Sequence, residues 1–410
     1  MLYHHDVLEQ AWDSGRVRLA IRLGCLWFSL WLLANCGSPP TPPWPQSEAC
    51  QVKEIKRIGL SGGGLDWSPT DKNLILITKY DASKIKQVYT LKPDDGEETC
   101  LTCDQAPGGP SPEAHKGVPH WHPSGKYIFL QVEREGHSGN RTLAEPESGL
   151  NNDLWAATPD GRNWWRLTDY SSNPESGVLF PVPSHDGKRL AWVERYAGPD
   201  QPVITLFKFL INRPTEDLFG KWRLHIADLL INAEGVRLDN IETYTPGDAS
   251  FYEMQTWSPA DDMLYFAASI NRTNVFTLDI WAMEVATQRL TAVTDTDDHW
   301  EEHLSFSPNG RKITFMSSEC CDWNPNKLQS LRAELYLMDA DGSRKVQLTH
   351  FNTSGYSESS SEQSVVASST WSPDGTRVAF QRILITQDFG KGQPPTDLWI
   401  LTFAGACGDE

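Results

Sequence analysis

The sequence predicts an all-β fold, a six-bladed β-propeller with four-stranded antiparallel blades, and three observations carry that prediction. A short turn phrase returns six times: Trp67-Ser-Pro-Thr-Asp, Trp121-His-Pro-Ser-Gly, Pro183-Ser-His-Asp-Gly, Trp257-Ser-Pro-Ala-Asp, Phe306-Ser-Pro-Asn-Gly and Trp371-Ser-Pro-Asp-Gly. Each is followed by a short apolar run, such as Leu74-Ile-Leu-Ile, Tyr127-Ile-Phe-Leu or Val378-Ala-Phe-Gln, which is strand chemistry after a tight turn. Between the turns runs a second phrase, an apolar strand and a polar turn leading to Leu-Thr. It reads Asp153-Leu-Trp-Ala-Ala with Leu167-Thr, Asp279-Ile-Trp-Ala with Leu290-Thr, and Glu334-Leu-Tyr-Leu with Leu348-Thr. A unit of this kind cannot bury its own apolar face and has to stack on its neighbours.

Taken in chain order, the first element is a targeting segment over residues 1–35. Arg16, Arg18 and Arg22 precede an apolar stretch from Leu23 to Ala34, too short for a membrane span and the right length for the core of a signal peptide. It ends at Leu33-Ala34-Asn35-Cys36-Gly37, which resembles the lipobox of bacterial lipoproteins. That resemblance implies lipidation of Cys36, although Asn35 departs from the small residue usual before the cysteine. Residues 36–49, with Ser38-Pro-Pro-Thr-Pro-Pro-Trp-Pro, then form a stiff extended tether. These features predict an exported protein of the periplasm or cell surface, joined to the membrane by a lipid anchor only.

The propeller itself is expected over residues 50–410, with blade turns near 67, 121, 183, 257, 306 and 371. Each unit supplies two strands after the Ser-Pro-Asp-Gly-like turn and two around the later Asp-Gly turn, and a degenerate third-blade copy begins at Leu224-His-Ile-Ala-Asp. The sixth unit has Asp397-Leu-Trp-Ile-Leu-Thr-Phe but no fourth strand. Val52 to Ile58, ahead of the first repeat, has the character of a fourth strand, so the N-terminal strand is expected to complete the last blade and close the ring. That pairing sets Cys50 beside Cys407 and predicts a disulfide between them. After Cys25 and Cys36, six cysteines remain in an exported chain, an even number that favours disulfides. Cys100-Leu-Thr-Cys103 reads as a local disulfide, with a redox or half-zinc motif as the alternative.

The Trp-Ser-Pro-Asp-Gly turns, Asp-Leu-Trp strands and Leu-Thr endings resemble the six-bladed propeller family of TolB and its relatives over about residues 50 to 407. TolB carries an α/β domain ahead of its propeller, whereas here a signal and a tether precede the first strand, so the resemblance implies a stand-alone relative. The repeat serves binding proteins, lyases and the propeller half of prolyl-oligopeptidase-like enzymes, and therefore specifies fold rather than activity. Successive turns lie 54, 62, 74, 49 and 65 residues apart, against roughly 40 to 50 for a lean blade. The excess points to long loops at Gly136 to Asn152, Pro199 to Lys221, Ser317 to Ala333 and Gln387 to Pro395. Loops on a rigid scaffold are where binding usually sits.

Composition narrows the partners. With 36 basic and 54 acidic residues the 410-residue chain carries a formal charge of −18, which argues against nucleic acid and anionic membrane surfaces. Gly59-Leu-Ser61-Gly-Gly63 fits G-x-S-x-G but leads into a blade turn and not into a helix, so it is not read as a nucleophile elbow. Just before the inner strands, register points Gly64, Asp66, His120, His122, Phe180, Glu253, Gln255, Glu302, His303, Ser368 and Ser369 at one mouth of the channel. Within this set His120, His122, Glu253, Gln255, Glu302 and His303 are the candidate ligand-binding residues, and His120, His303 and Glu253 are candidate ligands for a divalent metal. Propeller-type oligogalacturonate lyases, which the chain resembles in this respect, place a histidine-rich metal site in a similar mouth, although their full motif is not matched here. Trp300 and Trp323 stand outside the repeat as possible contact residues, and Asp295-Thr-Asp-Asp298 is acidic enough for a weak calcium site. The sequence thus favours a monomeric, cofactor-free binding platform for an envelope protein, peptide or small ligand. The alternative is a metal-dependent polysaccharide lyase or hydrolase, for which no Lys or Arg is evident at the mouth.

Overall fold

The computed structural model describes residues 46–61, 63–139, 141–198, 220–272, 274, 276–385 and 395–408. The expected signal peptide, Cys36, most of the expected tether and nearly all of the expected loops Pro199 to Lys221 and Gln387 to Pro395 lie outside these residues.

The chain opens with β1 (Val52–Leu60) and then lays down five complete four-stranded meanders. Blade 1 contains β2 (Gly63–Trp67), β3 (Ile75–Tyr80), β4 (Lys86–Leu91) and β5 (Glu98–Cys100). Blade 2 contains β6 (Lys116–Trp121), β7 (Ile128–Glu133), β8 (Asn152–Ala157) and β9 (Trp164–Arg166). Blade 3 is made of β10 (Gly177–Pro183), β11 (Arg189–Ala197), β12 (Lys221–Asn232) and β13 (Gly235–Tyr244). Blade 4 comprises β14 (Tyr252–Trp257), β15 (Met263–Ala268), β16 (Asp279–Glu284) and β17 (Leu290–Ala292), and blade 5 comprises β18 (Glu301–Phe306), β19 (Lys312–Ser317), β20 (Glu334–Asp339) and β21 (Val346–Gln347). Blade 6 supplies β22 (Ser364–Trp371), β23 (Arg377–Leu384) and β24 (Thr396–Phe403), and β1 pairs antiparallel with β24 to complete it.

Four of the six turns fold as they do because a serine hydroxyl closes them, and in blade 2 the His122 ring takes the serine's place. Ser372 Oγ accepts from the Arg377 N–H at 2.9 Å and donates to Asp374 at 2.8 Å, and Ser184, Ser258 and Ser307 repeat the pattern in their blades. Gly375, at φ 66°, takes the left-handed step the turn requires. The Asp-Leu-Trp and Leu-Thr phrases also meet in space, except that in blade 4 the threonine is Thr294 after Val293, because Leu290-Thr291 lies inside β17 opposite Met283 and Ala282. Thr168 Oγ1 donates to the fully buried Asp153 and accepts from the Leu154 N–H, and Thr294 with Asp279 and Thr349 with Glu334 do the same. Each pair ties a third strand to the segment leaving the fourth.

The core lies between blades. An apolar cluster fills each of the six blade interfaces, from Leu76, Val88, Trp121 and Ile128 between blades 1 and 2 to Leu65, Ile77, Ala379 and Leu398 between blades 6 and 1, and a second lies between blades 5 and 6 around Met316 and Val365. Trp67, Trp121, Trp257 and Trp371 are buried there. Cations brace two of these joints from the preceding blade: Arg189 stands 4.4 Å over the Trp257 ring and Arg377 5.0 Å over that of Trp67.

Cys50 and Cys407 form a disulfide with a Cα separation of 4.5 Å, buried beside Phe351, Trp371 and Phe403. Cys100 pairs with Cys103, and a third disulfide joins the adjacent Cys320 and Cys321 in the long connection of blade 5. Since the Cys50–Cys407 link spans 357 residues, the chain-entropy model assigns it about 6 kcal/mol. Replacing both cysteines with serine is expected to lower the guanidinium unfolding midpoint accordingly, with amide protection lost first in β1. An unchanged midpoint would show that strand pairing alone holds the ring.

Candidate functional site

All six inner strands carry a β-bulge at the same level, marked by register shifts at Gly63/Leu65, Gly117/His120, Leu179/Val182, Met254/Thr256, Glu302/Ser305 and Ala367/Ser369. In five of them the bulged residue is left-handed: Gly64 at φ 36°, Val118 at 48°, Phe180 at 50°, His303 at 58° and Ser368 at 29°. Positive φ is costly for Val and Phe, and a bulge re-aims the side chains around it. Blade 1 uses glycine because a Cβ there would lie 2.5 Å from Val118 Cα.

The bulges divide the axial channel into three linked cavities. The turn-side cavity, about 240 Å³, is lined by Asp66, His120, Ser184, His185, Gln255 and Thr370 among others. A 60 Å³ waist shares His120 and Gln255 with it and adds Val118, Phe180, Met254 and His303. A third cavity of 220 Å³ shares Phe180, His303 and Ser368 with the waist and is lined by Lys86, Glu147, Glu253, Gln381 and Thr396. In a meander the second-to-third strand connections lie at the end where each inner strand begins, so the described long loops, Gly136 to Asn152 of blade 2 and Ser317 to Ala333 of blade 5, belong to this third cavity's end.

The expected single mouth is therefore split. His120 stands one residue before the Trp of its turn, while His303 stands three before Phe306 and Glu253 four before Trp257. At about 3.3 Å per residue this sets His120 roughly 7 Å or more further down the axis. Glu253, Glu302 and His303 come together, each offering a ligand atom within 4.8 Å of the others, and His120 is not among them. His120 instead faces Asp66, Nδ1 to Oδ2 at 3.9 Å, and burial pushes it down to about 4. Burial likewise raises Asp66 to about 7, against the pull of the Trp121 N–H at 2.7 Å and the Thr370 hydroxyl at 3.2 Å. His122 is not a channel residue. It holds the serine position of its turn, bonding Ser124 through Nδ1 and the Gly187 carbonyl through Nε2 at 3.1 Å, because β6 ends at Trp121 and the strand alternation ends with it.

The cluster at the long-loop end is strongly coupled. His303 Nδ1 lies 3.4 Å from Glu253 Oε1 and its Nε2 lies 3.2 Å from Glu302 Oε1. Burial opposes the imidazolium, yet Glu302 and Glu253 together raise His303 to about 9. Burial first, and then the Glu302 charge, push Glu253 up to about 8 although His303 pulls it down. Gln255 donates to Glu253 at 3.3 Å. Glu302 Oε2 is buried with no hydrogen-bond partner.

Sequence reasoning missed the other half of this end. Lys86, at the start of β4, is buried and spans Glu145, at 3.2 Å, and Glu147. Tyr80 donates to Glu145 at 2.7 Å. The Glu147 carboxylate rests in the notch that Gly63 leaves by lacking a side chain. Both glutamates come from the long blade 2 loop, which Glu133 anchors through Arg141 and His137. Burial alone would raise Glu133, but Arg141, the His115 N–H and His137 outweigh it and hold it near 2. The loop's length was a legible signal, whereas its reach to the axis was not.

Other candidates are occupied. Arg272 binds Asp279, Asp295 and Asp297, which gives the acidic run a cation of its own. Trp300 stacks on Phe276 at 5.6 Å, and Trp323 donates to the Asp298 carbonyl at 3.1 Å. Ser61 is buried in the link from β1 to β2 and accepts from Gln381 at 2.8 Å. Among the described residues no helix is long and apolar enough to cross a membrane.

No protein-family model matches the chain, and no curated protein matches it. Solved structures it is similar to include TolB from Acinetobacter baumannii (15% identity, TM-score 0.43, covering 72% of this chain and 55% of that one). They also include a putative TolB from Agrobacterium tumefaciens (16%, 0.41, 76% and 88%) and an oligogalacturonate lyase in complex with manganese (12%, 0.46, 87% and 95%). The chain thus spans about half the length of the first of these. The propeller fold stands on the sheet topology, and at this level of similarity these structures assign no activity.

Raised values at His303 and Glu253 have one sign in stability. His303 keeps its proton in the fold above its ordinary 6.5, so that contribution is complete below 6.5 and lost as pH rises through about 9. Glu253 stays protonated in the fold where the unfolded carboxyl has ionised above 4.5, so folding weakens from about pH 4.5 to about 8. The pair titrates jointly. The thermal midpoint is expected to fall across pH 4.5–9 and to fall less steeply in Glu253→Gln. Parallel slopes for the two proteins would exclude the coupling.

Proposed function

We propose that the protein is an exported propeller, anchored through a lipid on Cys36, that serves as a monomeric binding platform for an envelope protein, peptide or small ligand. One observation carries this reading. At the end that bears the long connections, the channel opens into a 220 Å³ cavity whose ionisable lining comes from four blades: Lys86, Glu147, Glu253 and His303. The arginine-led apolar segment before Cys36 and the proline-rich tether support export and anchoring, and the net charge of −18 argues against nucleic acid as the partner.

A photoreactive residue at Ile383, on the cavity wall, is expected to cross-link a partner in expressing cells, and the same probe at Ile241, exposed on the outer strand β13, is not. Cross-links confined to Ile241 would move the binding surface to the blade edge.

A second reading, a metal-dependent lyase or hydrolase of acidic polysaccharide, is favoured by the convergence of Glu253, Glu302 and His303, whose carboxylate and imidazole donors suit a divalent cation. Lys86 supplies the cationic side chain that the sequence did not reveal at the mouth. It is already engaged by two carboxylates, however, which weakens it as a partner for a uronate. Protein purified without chelator or histidine tag is expected to be metal-free by mass spectrometry. A stoichiometric metal lost in Glu302→Gln/His303→Ala would reverse the order of the two readings.

A further inference from the structure

We propose that the long-loop cavity accepts a single organic cation, a primary ammonium or a guanidinium carried on an aliphatic stem. The inference rests on the binding-platform reading and names the chemistry of its ligand. The first observation is the charge count: with Glu253 raised to about 8, three carboxylates, Glu147 on the cavity wall and Glu145 and Glu302 beside its lining groups, stand against two basic groups, Lys86 and His303.

The second is a shortage of donors. Both ring nitrogens of His303 are spent on Glu253 and Glu302, and Lys86 is spent on Glu145 and Glu147. Glu147 Oε1 and Glu302 Oε2 are nevertheless buried without a hydrogen-bond partner, and Glu302 is only 6% exposed. Buried acceptors left without donors are costly, and an N–H-bearing cation provides both the donors and the missing charge.

The third is shape. At 220 Å³ the cavity is smaller than the roughly 300–1,000 Å³ typical of drug-sized ligands, and Phe180, Ala367 and Ile383 give it an apolar wall. Such a space suits an aliphatic stem with a charged head, as on a lysine or arginine side chain or a small free amine. A divalent metal fits less well, because it would have to displace one of the two carboxylate contacts that hold the His303 ring.

The test is calorimetric titration of the full exported chain with n-butylammonium and n-butylguanidinium, with n-butanol and butyrate as controls and with manganese and zinc chlorides run separately. The cations are expected to bind saturably and the neutral and anionic controls to fail. Glu147→Gln and Glu302→Gln should each weaken the cations about tenfold. Glu147 is partly exposed, so its variant tests the idea even where the Glu302 variant fails to fold. Binding of n-butanol as tight as that of the amine, no binding by either cation, or binding by a metal alone would overturn the proposal. A lysine peptide that outbinds n-butylammonium and loses its advantage on replacement of lysine by norleucine identifies a polypeptide as the source, and equal affinities identify a free amine. Both outcomes uphold the cation. Partner cross-linking from Ile383 that persists when no amine binds would remove this inference and leave the platform reading standing.

Discussion

Everything in this molecule depends on closing the ring. A propeller of stacked blades is stable only when the last blade meets the first, since each blade buries its faces against two neighbours. Here the closing joint combines three devices at one place. The β1–β24 ladder runs from Val52 opposite Phe403 to Leu60 opposite Asp397. The Cys50–Cys407 link sits at its far end in an apolar cluster. Arg57 of β1 and Arg382 of β23 both grip Asp397 of β24. Breaking this joint would expose β24 as an open edge and the interface between blades 6 and 1 as apolar surface.

The same buried position recurs around the ring with a changing occupant, and the changes have reasons. Asp153, Asp279 and Glu334 each accept from a threonine in blades 2, 4 and 5. In blade 1, Gln87 replaces the acid and takes the Thr102 hydroxyl at 2.6 Å, while the buried Lys116 of blade 2 approaches the same oxygen at 3.2 Å. In blade 3 the register puts Arg223 there, and it donates to Glu194 of β11 at 2.8 Å. In blade 6 the fourth strand is β1, which leads into Ser61 rather than a threonine, and the arginines of the closing joint hold Asp397 instead. A buried acid requires donors on both oxygens, so it is kept where a threonine and backbone N–H groups surround it and is replaced where a neighbour such as Lys116 or Glu194 changes the local partners.

This explains why the fold was legible in the sequence and the site only in part. Turn serines, left-handed glycines and buried acid–Thr pairs are local devices with fixed spacing, so their repetition betrays the architecture even though single blades lack one or another. Even the pairing of Cys50 with Cys407 follows from counting strands. A bulge, by contrast, is an insertion of one residue into a ladder that leaves no mark in composition. It flips the alternation beyond it, which is how the adjacent Glu302 and His303 reach one another. His120 and His122 looked like a pair on one face because their spacing is two, yet the strand ends between them. Lys86, Glu145 and Glu147 were invisible for another reason, since their meeting at the axis depends on the path of the blade 2 loop.

The two ends of the channel are built for different tasks. At the turn end, polar side chains are absorbed by the joints between blades: Thr370 takes the Trp67 N–H at 3.0 Å, Asp66 takes the Trp121 N–H, and the Trp257 indole donates to the Val182 carbonyl at 3.0 Å. Groups used this way hold the blades in register and have little left to offer a ligand. At the other end the strained residues His303 and Ser368 stand among carboxylates that still have unmatched oxygens. Strain and unmet hydrogen bonding are tolerated in a fold only where the surrounding structure fixes them in place. The closed ring of six packed interfaces supplies that rigidity, and so tolerates unmatched carboxylate oxygens at the end where the blade 2 loop reaches the axis.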